Sequence, residues 1–199
     1  MTYAIIGFGK IGHALAKAFA RKDVEVSVAT TRDPASFAVE AAAIGPCITP
    51  VTLAQAVAAD VIFLAVHFDA HADVARALPD WRGKTIVDVT NAFGVPAETL
   101  GGQPSGKVVS QAFTGSRLVK GFNHLGASKL AQEPDVHGGR RVVFLAGDDD
   151  EAATEIAALA ETLGFAPVKL GKLSEGGLLV HGVGDTWGEL IFKDLVKFD

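Results

Sequence analysis

Short apolar runs alternate along the chain with longer stretches whose apolar residues recur every three or four positions. The first run, Tyr3-Ala4-Ile5-Ile6, predicts a strand, and Ile11 to Ala20 carries helical periodicity directly after it. Val24 to Ala29 predicts the second strand and Ala35 to Ala43 a helix. After the short segment Ile48-Thr49, Thr52 to Ala59 reads as a capped helix. Val61-Ile62-Phe63-Leu64-Ala65-Val66 is apolar throughout, as a parallel strand buried on both faces should be. A helix over Asp69 to Leu78 and a strand over Lys84 to Val89 follow. Asn91 to Gly106 is looser and rich in Gly and Pro; a helix (Val108 to Phe113) and a strand (Arg117 to Lys120) come next. This alternation predicts an α/β fold, a Rossmann-type doubly wound parallel sheet with helices on both faces.

The last third reads as a small C-terminal α/β extension with a helical tail. Arg140 to Gly147 predicts a strand, Ala152 to Leu163 a helix stopped by Gly164, and Ala166 to Leu170 another strand. The acidic run Asp148-Asp149-Asp150-Glu151 suits the positive end of that helix better than a metal. The tail, Leu173 to Asp199, carries Trp187, Leu190, Ile191, Phe192, Leu195 and Phe198. These fit either a homodimer contact or packing on the chain's own core. The expected organisation is a dinucleotide-binding domain over residues 1–115 and an extension over 116–199 that completes the sheet and the acceptor site.

Composition narrows the function. A formal charge of −5 argues against a nucleic-acid partner. Cys47 is the one cysteine, so the chain forms no internal disulfide. Apolar runs are of strand length, so no membrane span is expected and the setting is read as cytoplasmic.

The candidate chemistry begins where the first strand ends. Gly7-Phe8-Gly9-Lys10-Ile11-Gly12 reads G-x-G-x-x-G between a strand and a helix, the context that makes this motif a dinucleotide fingerprint. Gly7 permits the turn, Gly9 lets a pyrophosphate approach, and Gly12 lets helix and strand pack closely. Where an NAD site places an acid, the second strand ends in Thr30-Thr31-Arg32. Two hydroxyls and a guanidinium suit a 2′-phosphate, so NADP(H) is the expected cofactor. Asp33 is an alternative ribose ligand, but Pro34 after it favours a helix cap.

Ligands of open α/β sheets lie at the carboxyl ends of the strands. Ala65, Val66 and His67 at one strand end, and Asn91 and Ala92 at the next, should hold ribose and nicotinamide. His67, Asn91 and His124 are the candidate catalytic residues; either histidine can be read as a proton donor or as a wall residue. His67 and His71 have helical i, i+4 spacing, but no third ligand is evident, so no metal is expected.

The chain resembles the deazaflavin-dependent NADP oxidoreductases. The matching stretches are Gly7 to Gly12, Thr30-Thr31-Arg32, Phe63 to Val66, Asp88-Val89-Thr90-Asn91, Val119 to Asn123, Phe144 to Asp149 and Leu163 to Gly171. The cytosolic domains of six-transmembrane ferric reductases look similar too. The resemblance implies direct hydride transfer between nicotinamide and a flat small-molecule acceptor such as a deazaflavin or flavin, a reaction that needs alignment more than acid or base. His67 stands where the family usually has Pro, and Asn91-Ala92 where it has Asn-Pro. Two other functions remain open at this level: an NADPH-dependent reductase of a carbonyl or imine, with His67 or His124 as acid, and a non-catalytic NADP(H)-sensing module.

Overall fold

A computed structural model describes residues 1–180. Its strands are β1 (Tyr3–Ile6), β2 (Val26–Ala29), β3 (Ile48–Pro50), β4 (Val61–Leu64), β5 (Thr85–Asp88), β6 (Arg117–Gly121), β7 (Asp135–Val136), β8 (Gly139–Arg140), β9 (Val142–Gly147) and β10 (Ala166–Lys169). The helices are α1 (Lys10–Ala20), α2 (Ala38–Ala42), α3 (Leu53–Ala56), α4 (His71–Ala75), α5 (Ser105–Ala112), α6 (Ala127–Leu130) and α7 (Asp150–Thr162). Eight strands form one sheet in the order β10-β9-β6-β5-β4-β1-β2-β3, with β7 and β8 as a separate small hairpin. The run β3-β2-β1-β4-β5-β6 is the doubly wound order, and its switch point lies between β1 and β4.

Strand pleating sorts the core into two layers. Ile5, Phe63, Val87 and Val119 face one side, where α1 and α7 deliver Leu15, Phe19, Ile156 and Leu159. Ala4, Ile6, Ile62, Leu64 and Ile86 face the other, against Trp81, Val109 and Phe113. Both layers being apolar explains why β4 reads as an unbroken apolar run. The two edge strands carry Pro50 and Pro167, which lack an N–H and so discourage pairing with another chain.

Three expectations change. The sheet is not wholly parallel: β6 pairs antiparallel with β9, with Val119 opposite Gly147. The chain from β6 reaches β9 through α6 and the β7–β8 hairpin and returns in the opposite direction. The helix expected from Asp69 to Leu78 is a 3-10 turn, Phe68–Ala70, followed by the short α4. The helix expected from Ala35 to Ala43 likewise opens as a 3-10 turn, Pro34–Phe37, before α2. Asp149 caps α7 through the Ala152 N–H at 2.8 Å, and Asp148 pairs with Lys107 at 2.8 Å. The tail residues from Trp187 to Phe198, and the homodimer contact expected of them, lie outside the described residues.

Candidate active site

The turn between β1 and α1 is shaped by backbone collisions that only glycine avoids. Gly7 sits at φ 104°, and a Cβ there would strike the Ala65 carbonyl. A Cβ on Gly12 would strike the Gly7 carbonyl. Gly9 differs: nothing lies within 4 Å of where its Cβ would be, so the backbone there faces open space. That space belongs to a cavity of about 800 Å³ at the carboxyl ends of β1, β4 and β5. Gly7, Gly9, Lys10 and Ile11 form its floor, Thr30 and Thr31 one end, and Ala65, Val66, His67, Thr90 and Asn91 the other. The open ground above Gly9, beside the N-terminal turn of α1, fits a pyrophosphate.

Phe8, Gly12, Arg32, Ala92 and His124 do not line the cavity. Phe8 is buried and packs on Phe37, supporting the turn from below. Gly12 sits where helix meets strand. Arg32 lies over the Phe37 ring, 5.1 Å from its centroid, with its backbone N–H donating to the Thr30 hydroxyl at 2.8 Å. Asp33 is a helix cap, accepting from the Ala35 N–H at 2.9 Å. Ala92 is fully buried. His124 is buried beside Phe144 with Nε2 3.2 Å from the Val142 carbonyl, and burial pushes it down to about 4. It is therefore neutral near pH 7 and stands apart from the cavity. His67 is exposed at the cavity wall, and His71 is buried with its Nδ1 against the Phe68 carbonyl.

The Thr90 and Asn91 end of the cavity rests on a buried polar network. Asp88, on β5, accepts from the Thr90 N–H at 2.9 Å and from the Thr90 hydroxyl at 2.7 Å. Lys120, on β6, donates to Asp88 Oδ2 at 2.9 Å and to the Thr90 carbonyl. Every polar group of Thr90 is thus tied down, which fixes the direction in which the chain enters Asn91. The Asn91 side chain is fixed in turn. It donates to the Asn123 carbonyl at 2.7 Å and accepts from Asn123 Nδ2 at 2.9 Å. Asn123 also donates to the Val180 carbonyl at 2.7 Å. Phe122, just before it, holds φ 61° while fully buried, a costly conformation for a bulky residue, and sets the direction in which Asn123 points.

This network escaped the sequence reading, although a signal existed. Ile86-Val87-Asp88-Val89 and Leu118-Val119-Lys120-Gly121 each place one charge inside an apolar strand, and the two charges are opposite. Charges in such runs must pair, so adjacent strands could have been inferred to join them. Phe93, two residues beyond Asn91, also lines the cavity and is 72% exposed.

The doubly wound order, with a glycine turn beneath a cavity at the strand ends, places the chain in the class of dinucleotide-binding oxidoreductases. Within that class, residues 2–92 match the family model described as NADP oxidoreductase coenzyme F420-dependent. A hypothetical protein from Sinorhizobium meliloti is 42% identical, with 89% of this chain and 88% of that one covered and a TM-score of 0.84. A candidate F420-dependent NADP reductase from an Arthrobacter species is 26% identical, covers 87% of this chain and 86% of that one, and has a TM-score of 0.69. Rat metalloreductase STEAP3 is 28% identical over 85% of this chain, which spans only 34% of that protein's length. Among the described residues, no helix is long and apolar enough to cross a membrane.

Proposed function

We propose that the chain is an NADP(H)-dependent oxidoreductase that passes hydride between the nicotinamide and a flat small-molecule acceptor such as a deazaflavin or flavin. The observation carrying this reading is one continuous cavity with two unlike ends. At one end, open backbone above Gly9 and the hydroxyls of Thr30 and Thr31 suit the phosphates, with Arg32 beside them. At the other, Val66, Phe68, Val89 and Phe93 make an apolar and aromatic wall around His67 and Asn91. Bound there, the nicotinamide would supply or receive the hydride. The chain's own task is to hold the ring, orient it and keep water from it. Asn91, locked by Asn123, is built for orientation.

A second reading has one observation in its favour. His67 faces the same cavity and its side chain takes no cap hydrogen bond, so it is placed to act as a proton donor to a carbonyl or imine.

NADPH and NADH titrated side by side, followed by oxidised deazaflavin, riboflavin or FMN, test both readings. Preference for NADPH and rapid loss of its absorbance with a flat acceptor support the first. Turnover only with an imine or carbonyl, lost in H67A, supports the second. Preference for NADH overturns the assignment of Thr30, Thr31 and Arg32.

A further inference from the structure

The 2′-phosphate end holds a three-residue cluster with no role assigned so far. His13 stands on the first turns of α1 with both ring nitrogens engaged. Nδ1 lies 2.9 Å from the Gly9 carbonyl, and Nε2 lies 2.8 Å from Glu40 Oε1. The other oxygen of Glu40 lies 3.4 Å from Arg32 Nη2. Glu40 thus joins the glycine turn, through His13, to the arginine at the end of β2. An aromatic stack runs beneath: the His13 ring lies 3.9 Å from the Phe8 ring, Phe8 packs on Phe37, and Arg32 covers Phe37.

Three physical points follow. A carbonyl and a carboxylate only accept, so the His13 contacts are both satisfied when both ring nitrogens carry a proton. Second, these side chains are part-exposed, and ion pairs of that kind add little stability. What the contacts do instead is hold a long side chain in place. Third, Glu40 takes only the Nη2 corner of the guanidinium and Phe37 takes one face, which leaves the remaining N–H edge for an anion.

We propose that His13 and Glu40 are positioning residues for NADP(H) selectivity. Glu40 aims Arg32 at the 2′-phosphate, and His13, anchored on the Gly9 carbonyl, holds Glu40 in place. This rests on the NADP(H) reading above and on nothing about the acceptor.

The test uses adenosine 2′,5′-diphosphate against AMP, measured by calorimetry on the whole protein, because the pair differs only in the 2′-phosphate. Wild type should favour the 2′-phosphorylated ligand. R32A should lower that ratio about tenfold. H13A and E40A should each lower it three- to fivefold with AMP affinity unchanged, a selectivity that general loosening of the fold would not produce. E40Q, which keeps an oxygen toward Arg32, should stay within twofold of wild type. The proposal is overturned if E40A raises the ratio, since Glu40 would then merely compete with the phosphate. It is also overturned if R32A lowers the ratio while H13A and E40A leave it unchanged. No preference in wild type would remove the NADP(H) reading itself, and the inference with it.

Discussion

Replacing Lys120 with Met is the sharpest probe of how the site is supported. The Lys120–Asp88 pair is almost wholly buried, with side-chain exposures of 3% and 0%. Met fills similar volume, so the packing loss is small. The electrical loss is not. Asp88 would keep its two bonds from Thr90 but lose its counter-charge, and the Thr90 carbonyl would lose its donor. Removing one member of a buried pair costs about 3–5 kcal/mol. That is a large share of the roughly 5–15 kcal/mol that stabilises an ordinary domain. With about 2–4 °C lost per kcal/mol at this chain length, Tm should fall by about 10 °C. The double variant K120M/D88N removes both charges and should regain about 2 kcal/mol relative to the sum of the single variants. Urea unfolding of the four proteins measures this directly. Because Thr90 leads into Asn91, acceptor turnover should also fall in K120M under conditions where it stays folded. A cost below about 1 kcal/mol, or strictly additive single variants, would refute the idea that this pair is a structural clamp.

Four further outcomes follow from the same geometry. G9A should fold within about 1 kcal/mol of wild type, because its Cβ meets nothing, yet lose about a hundredfold in NADPH affinity by fluorescence titration. G12A should instead be detected as misfolded or strongly destabilised in a thermal melt, since its Cβ would collide with the Gly7 carbonyl. His124 is held down to about 4 by burial, whereas the unfolded chain takes up a proton near 6.5. Stability from this group is therefore intact above about pH 6.5 and is lost as pH falls toward 4, by about 2 kcal/mol at pH 5; denaturant midpoints at pH 7 and 5 should converge in H124L relative to wild type. F93A removes an exposed ring from the cavity rim and should raise KM for a flat acceptor several-fold in steady-state assays while leaving NADPH affinity unchanged.

Much of the fold was legible because it is local. The glycine turn, the apolar strands β1, β4 and β5, and the caps at Asp33 and Asp149 are written in neighbouring residues. What was hidden is what the sheet brings together from afar. Asp88 and Lys120 are 32 positions apart and meet only because β5 and β6 are adjacent. His13 lacks any distinguishing context in the sequence, and Glu40 lies in α2, beyond the 3-10 turn that Pro34 opens. The β6–β9 reversal depends on a connection through α6 and a two-residue hairpin, neither of which has a strong periodic signal. His124 shows the reverse case: it reads either as a proton donor or as a wall residue, and burial leaves it neutral and away from the cavity.

The rings of Tyr3, Phe19, Phe63, Phe122 and Phe165 follow one another edge to face, with centroids 5.5 to 5.8 Å apart. Phe122 is a link in this series and also holds the strained backbone that directs Asn123 at Asn91. A change of ring size at Phe19 or Phe165 therefore reaches the Asn91 end of the cavity without touching it. The evolutionary consequence is epistasis: these aromatic positions are free to drift only as a set, and a substitution tolerated in one relative becomes harmful in another whose neighbouring rings differ. Chimaeras that exchange β1–α1 or β10 between relatives should lose turnover before they lose their fold.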